Sequence, residues 1–193
     1  IVLRVRKPDT SEVNQLKHGS SHVTDEDHYK ERDLVDTMAK QGVSAISMEM
    51  IPRTTRAQKM DALSSQANLA GYVMVLLAAE KLDRILPMMI TPAGTLSPAR
   101  VFVIGAGVAG LQAIATAKRL GAIVSATDVR AAAAEQVESL GGTFVMVEPD
   151  EGDSGETSGG YAKEMSADYQ KRQSELVAAH IAKQDIVICT ALI

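Results

Sequence analysis

Arg100-Val101-Phe102-Val103-Ile104-Gly105-Ala106-Gly107-Val108-Ala109-Gly110-Leu111, with Asp128 some way downstream, is the stretch on which the fold turns. Val101–Ile104 is an apolar run of the kind buried on both faces of a parallel sheet. Gly105–Gly110 reads G-x-G-x-x-G, and the small-residue run Ala109–Leu120 predicts a helix directly after it. Each glycine meets a separate demand. Gly105 permits the tight turn, Gly107 lets backbone approach a pyrophosphate, and Gly110 lets the helix press onto the strand. The pyrophosphate then sits at the positive end of that helix. Asp128 stands 18 residues after Gly110, at the end of a second predicted strand (Ile123–Thr127), where a carboxylate accepts both ribose hydroxyls. That carboxylate repels a 2′-phosphate and so favours NAD over NADP. Arg130, two residues on, is the one feature that works against this preference. A purely structural turn with Asp128 as a helix cap competes with this reading, as does a flavin or another adenine-containing ligand. Strand, turn, helix and acid in register favour an NAD(H) site.

Downstream, a helix (Ala131–Leu140), a strand (Thr143–Val147), a Gly/Ser-rich acidic loop (Glu148–Gly160), a helix (about Ser166–Lys183) and a strand (Asp185–Thr190) follow. This alternation predicts an α/β fold with a Rossmann-type parallel sheet, strand order 3-2-1-4, incomplete at one edge. Upstream, Thr91–Pro98 reads as a stiff connector. Before it, Thr55 to Leu86 predicts a long amphipathic helix with Met60, Leu63, Ala67, Ala70, Met74 and Leu77 as its apolar stripe and Pro87 as its stop. Further upstream come a strand at Val43–Met48, a helix at Glu31–Gln41, a solvated polar loop at Gly19–Glu31 and a short strand at Ile1–Val5. Residues 1–92 are thus expected to form part of an N-terminal α/β domain with a connecting helix, and 93–193 the NAD-binding domain.

Composition bounds the possibilities. The chain has 193 residues, 46% of them hydrophobic, which fills a core and excludes wholesale disorder. A formal net charge of −4 gives no electrostatic footprint for nucleic acid or an anionic membrane. One cysteine, Cys189, excludes a disulfide framework and a Cys-rich zinc site, and reads as a small buried apolar residue. The longest apolar run, Tyr72–Ala79, falls short of the roughly 20 residues that span a bilayer, so no direct membrane insertion is expected. The opening Ile1, with no Met before it, is expected of a cut or processed chain. His18, His22 and His28 beside Asp25, Glu26 and Asp27 read as a solvated loop rather than a metal site. His180 is expected to be exposed, and Met48, Met50, Met88 and Met89 to pack near the domain junction. A soluble, intracellular α/β protein is the expectation.

A second group of candidates lies on the long helix, where Gln58, Asp61, Ser65 and Asn68 project opposite the apolar stripe with Ser64 at its edge. A solvated polar face is the plainer reading, which spacing alone cannot beat, although amide and hydroxyl groups with a paired Arg–Asp are also what holds a nicotinamide carboxamide. The stretch Ile51–Tyr72 (IPRTTRAQKMDALSSQANLAGY) resembles the signature of the NAD(H)-binding component of proton-translocating NAD(P) transhydrogenase, the α subunit, a relative of alanine dehydrogenase. Gly105–Arg119, Glu135–Gly142, Gly159–Met165 and Thr190–Ile193 resemble the same family.

That resemblance implies roles for individual residues. Arg53, Gln58 and Asp61 match an Arg-Gln-Asp loop that contacts the nicotinamide end and faces the NADP-binding partner, and Ser64 matches a serine that helps hold the carboxamide. Gly105, Gly107, Val108, Ala109, Gly110, Asp128, Val129 and Arg130 fall in the pyrophosphate and ribose region. Thr190, Ala191 and Leu192 are further cofactor contacts, and Tyr161 lies in a loop that closes over bound nucleotide. The implied activity is direct hydride transfer from NADH on this component to NADP⁺ on a partner component, coupled to proton translocation in a membrane component. The resemblance also implies a homodimer, cytoplasmic and peripheral to the inner membrane through its partner subunits. An alanine dehydrogenase-like amino-acid oxidoreductase and a non-catalytic NAD-binding module stay open beside it. The family's component is longer than this chain, and Gly19–Glu31 lacks the apolar strand usual in relatives.

Overall fold

The computed structural model describes residues 1–27, 30–52, 54–147 and 165–191. Contacts divide the chain into two compact units, Ile1–Gln66 and Ala67–Ile193.

In the first unit, β1 (Val2–Leu3), β2 (Ser21–Thr24) and β3 (Ser44–Ser47) form a parallel sheet in the order β1-β2-β3. The short helix α1 (Thr10–Val13) opens on a capping box. Asp9 accepts the Glu12 amide at 2.9 Å, and Glu12 accepts the Asp9 amide at 3.0 Å. Helix α2 (Arg32–Lys40) buries Leu34 and Met38 in a small core with Val13 and Val43.

The polar stretch expected to be a solvated loop is in fact the central strand of this sheet. β2 carries His22 and Thr24 inward, Glu26 follows them, and all three are buried. Pairing with β1 and β3 satisfies the β2 backbone on both sides. The buried His22 Nδ1 lies 2.9 Å from Glu26 Oε1, which gives two otherwise costly groups a partner. A strand buried through such a pair has no hydropathy signal.

The long helix is also shorter than its sequence pattern. A 3-10 turn at Gln58–Met60 precedes it, and α3 runs Ala62–Lys81. Asp61 acts as its N-cap, accepting the Ser64 amide at 2.9 Å. The expected stripe is not its buried face. Met60, Leu63 and Leu77 are exposed, whereas Gly71 and Val75 are buried in the second unit. From Leu69 to Ala79 the helix is apolar around its whole circumference, so periodicity could not name the inward side. A Cβ on Gly71 would lie 2.1 Å from the Ala109 carbonyl oxygen, which is why a glycine stands there. By length and composition alone α3 could cross a membrane.

The expected connector contains a hairpin, β4 (Met89–Thr91) and β5 (Gly94–Leu96), turning at Pro92-Ala93 with Gly94 at φ +129°. Met50, Met88 and Met89 are exposed rather than packed.

The main sheet of the second unit follows. β6 (Arg100–Ile104), β7 (Ile123–Thr127), β8 (Thr143–Phe144) and β9 (Ile186–Cys189) are all parallel, in the spatial order β8-β7-β6-β9. Numbered within this sheet, that is the expected 3-2-1-4. Helices α4 (Val108–Arg119), α5 (Ala133–Ser139) and α6 (Ala167–Ile181) make the crossovers. Val101, Phe102 and Val103 are wholly buried, and Ile114, Ala117, Val124, Val137 and Ile188 complete the core. Each such Val or Ile contributes roughly 1.5–3 kcal/mol.

Two residues depart from expectation here. Cys189 is exposed, because β9 is an edge strand whose Val187 and Cys189 turn outward while Ile186 and Ile188 turn in. His180 is half-buried, with its ring centroid 4.6 Å from that of Phe102 and its Nε2 2.8 Å from Ser125 Oγ. Burial, with the Lys183 charge nearby, pushes its pKa below the ordinary histidine value.

Candidate functional site

The chain leaves β6 and turns at Gly105, whose φ of +94° a side chain rarely adopts. Thr190, just past β9, holds this turn: its hydroxyl donates to the Gly105 carbonyl at 2.7 Å, and its amide donates to Ile104 O at 2.8 Å. Ala191 is close enough that a Cβ on Gly105 would meet its nitrogen at 2.9 Å. Gly110 sits so tightly over the strand end that its Cβ would fall 1.8 Å from the Gly105 carbonyl oxygen.

Gly107 is different. It is the N-cap of α4, no side chain caps that turn, and a Cβ there would meet no atom of the described residues within 4 Å. Two glycines are thus required by the protein's own packing, and the third fronts open space at a helix N-terminus. The first-turn amides and the helix dipole suit an anion there, so the residues present fit a pyrophosphate. Val108 is exposed on this turn and Ala109 half-buried beneath α3.

Asp128 follows β7 and closes the loop from the side. Its Oδ2 accepts the Ala106 amide at 2.8 Å and Arg130 Nη2 at 2.9 Å, while its Oδ1 accepts the Arg130 amide and Nε, each at 2.9 Å. Burial pushes the Asp128 pKa up, but the Arg130 and Ala106 hydrogen bonds outweigh burial and hold it below the usual carboxylate value. Val129 is half-buried between them.

One further residue of this sheet end escaped the sequence reading. Gln173 on α6 donates through Nε2 to Thr127 Oγ1 at 2.7 Å and accepts the Val147 amide at 3.1 Å. It ties the end of β7 to the segment that follows β8, beside Asp128. A lone glutamine inside a helix carries no signal of such a role.

In the first unit, the structure brings Gln58, Asp61 and Ser64 together. Gln58 and Asp61 line a cleft of about 280 Å³ with Thr54 and Thr55. Asp61 Oδ2 accepts the Ser64 hydroxyl at 2.6 Å and Oδ1 its amide at 2.9 Å. The Ser64 proton is therefore committed to Asp61, and the oxygen presents its lone pairs as an acceptor. Arg53, Tyr161, Leu192 and the acidic loop Glu148–Gly160 lie outside the described residues.

Residues 1–70 match the family model described as alanine dehydrogenase/PNT, N-terminal domain, and residues 74–193 the one described as alanine dehydrogenase/PNT, C-terminal domain. The chain belongs to the alanine dehydrogenase/PNT family. Among its relatives, the first of the parts that make up NAD(P) transhydrogenase subunit alpha in Rhodospirillum rubrum is 51% identical over 198 residues, covering 100% of this chain and 52% of that protein. The crystal structure of transhydrogenase from Sinorhizobium meliloti superposes with a TM-score of 0.83 at 53% identity, over 98% of this chain and 50% of that one. An L-alanine dehydrogenase shares the fold, with a TM-score of 0.61 at 21% identity over 77% of this chain and 43% of that one. The chain spans about half the length of the curated transhydrogenase relative above. The two alanine dehydrogenase/PNT models meet between residues 70 and 74, inside α3 rather than at the hairpin connector, close to the division between the two compact units.

Proposed function

We infer that this chain belongs to the NAD(H)-binding component of a proton-translocating NAD(P) transhydrogenase. In this reading, hydride passes directly between NADH held here and NADP⁺ held by a separate NADP(H)-binding component. The observation that carries the reading is the second unit's end-of-sheet geometry: an open Gly107 at an uncapped helix start, with a ribose-type acid, Asp128, hydrogen-bonded to the same loop. Its support from kinship is the 51% identity to a transhydrogenase alpha-subunit polypeptide.

The reduced nicotinamide, when bound, supplies the hydride; the protein's task is to hold and orient. The α4 N-terminus and the Gly105–Gly110 turn, with Val108 and Ala109, hold the pyrophosphate. Asp128, Val129 and Arg130 form the ribose end, Thr190 and Ala191 close the loop's other side, and Leu192 is assigned to the nucleotide by the resemblance alone. Ser64 accepts from the nicotinamide carboxamide amine, because its own proton is given to Asp61. Gln58, with Arg53 on the same loop, contacts the nicotinamide end and faces the partner component. Tyr161 belongs to the loop that covers the nucleotide and excludes water. No nucleophile or general acid is needed for hydride transfer between two aligned nicotinamides; rate comes from alignment. The partners in this reading are the NADP(H)-binding component, a membrane component that moves the proton, and a second copy of this chain. The chain is then cytoplasmic and reaches the membrane through those partners.

Mixing the protein with an NADP(H)-binding transhydrogenase component, NADH and NADP⁺ tests the reading. Formation of NADPH that requires both proteins is the expected result. NADH oxidation by pyruvate and ammonia with no partner present would instead assign an amino-acid dehydrogenase, and NADH binding without exchange a non-catalytic module.

A further inference from the structure

A carboxylate has four lone-pair positions, and in Asp128 all four are taken. The Ala106 and Arg130 amides fill one on each oxygen. The Arg130 guanidinium fills the other two, with Nη2 on Oδ2 and Nε on Oδ1, both at 2.9 Å. The two amides belong to the main chain of the glycine loop and of the turn after β7, and cannot leave without rebuilding both. The guanidinium is on a rotatable stem, and the Arg130 side chain is 21% exposed, against 8% for that of Asp128.

A ribose 2′,3′-diol offers two O–H donors, one for each carboxylate oxygen. The guanidinium fork offers two N–H donors in the same one-per-oxygen pattern. We propose that Arg130 is a specificity-determining latch: its guanidinium occupies the diol positions of Asp128 in the nucleotide-free protein and is displaced by the ribose of NAD(H). This proposal rests on the reading of Asp128 as the ribose acid.

Two consequences separate the latch from a simple ribose contact. While Asp128 is present, it neutralises Arg130, so a 2′-phosphate finds a carboxylate rather than a guanidinium, and NADP(H) is rejected. When Asp128 loses its charge, the same guanidinium, two residues from the acid, becomes the phosphate's partner. Arg130 is thus a competitor for NAD(H) and a latent receptor for the 2′-phosphate. The two amides keep the carboxylate ionised and oriented without the fork.

The test measures dissociation constants for NADH and NADPH by nucleotide fluorescence on the full chain, with melting temperatures recorded for each variant. Arg130→Ala is expected to tighten NADH binding by about twofold to fivefold, the usual worth of a partly exposed ion pair. Arg130→Lys keeps the charge without the fork and is expected to move the same way, so a folding failure of the alanine variant does not remove the test. Asp128→Asn is expected to shift the NADPH-to-NADH preference toward NADPH by about tenfold or more. The Asp128→Asn/Arg130→Ala double variant is expected to lose that shift. A merely structural Arg130 would change melting temperature but not this ratio. Weaker NADH binding in folded Arg130→Ala and Arg130→Lys, or an unchanged ratio in Asp128→Asn, overturns the latch while leaving the NAD(H) site standing. No saturable NADH binding to the wild-type chain overturns the site and the latch together.

Discussion

The Thr190 hydroxyl donates to the Gly105 carbonyl oxygen at 2.7 Å and so ties the end of β9 to the first residue of the glycine loop. The two positions are 85 residues apart in sequence. Thr190→Val removes the donor and preserves the shape, leaving a half-buried carbonyl without this partner. The expected loss is about 1–1.5 kcal/mol of stability, with NADH binding weakened severalfold because the turn loosens. Urea unfolding followed by circular dichroism checks the first, and nucleotide titration the second.

The glycines of the loop are expected to separate by function. At Gly110 a Cβ would be driven to 1.8 Å from the Gly105 carbonyl oxygen, so Gly110→Ala is expected to destabilise the second unit by several kcal/mol. At Gly107 a Cβ meets nothing and φ is −78°, so Gly107→Ala is expected to leave the melting temperature within a degree or two. The same methyl stands where the pyrophosphate approaches, and NADH affinity is expected to fall at least tenfold. Equal effects of the two substitutions on stability would contradict this division.

His180 gives the fold a pH dependence with a definite sign. Burial, aided by Lys183, lowers its pKa in the folded chain below 6.5. Between the folded value and 6.5 the unfolded chain therefore binds more protons, and stability falls as pH drops below about 6.5. His180→Gln is expected to flatten this part of the stability–pH curve. Melting temperatures between pH 5 and 8 decide it, and an unchanged slope in the variant refutes the assignment.

How much of this was legible beforehand differs between the two units. The second unit's sheet order, its glycine turn and Asp128 follow from local patterns: an apolar strand, small residues, a helix, an acid at the next strand's end. The first unit hid its central strand, because Ser21-His22-Val23-Thr24 is polar and is buried only through β1, β3 and the His22–Glu26 pair, none of which is local in hydropathy. The long helix misled for a different reason. With apolar residues on every side, its periodicity gave a stripe, while burial chose Gly71 and Val75. Within the candidate site, Asp128 could be named from spacing, but its saturation by Arg130 and Ala106 depends on side-chain geometry, as does the Gln173 bridge. Asp61 and Ser64 could be named as candidates, but spacing placed Asp61 within the helix, whereas its hydrogen bonds to Ser64 place it at the helix start as a cap.

The most direct measurement of the central claim is a fluorescence titration of NADH against the purified chain and its Asp128→Asn variant. The account predicts saturable binding at one nucleotide per chain for the wild type, weaker binding of NADPH, and an NADH affinity reduced about tenfold or more in the variant. A signal that rises without saturation, or an affinity that Asp128→Asn leaves unchanged, would contradict it.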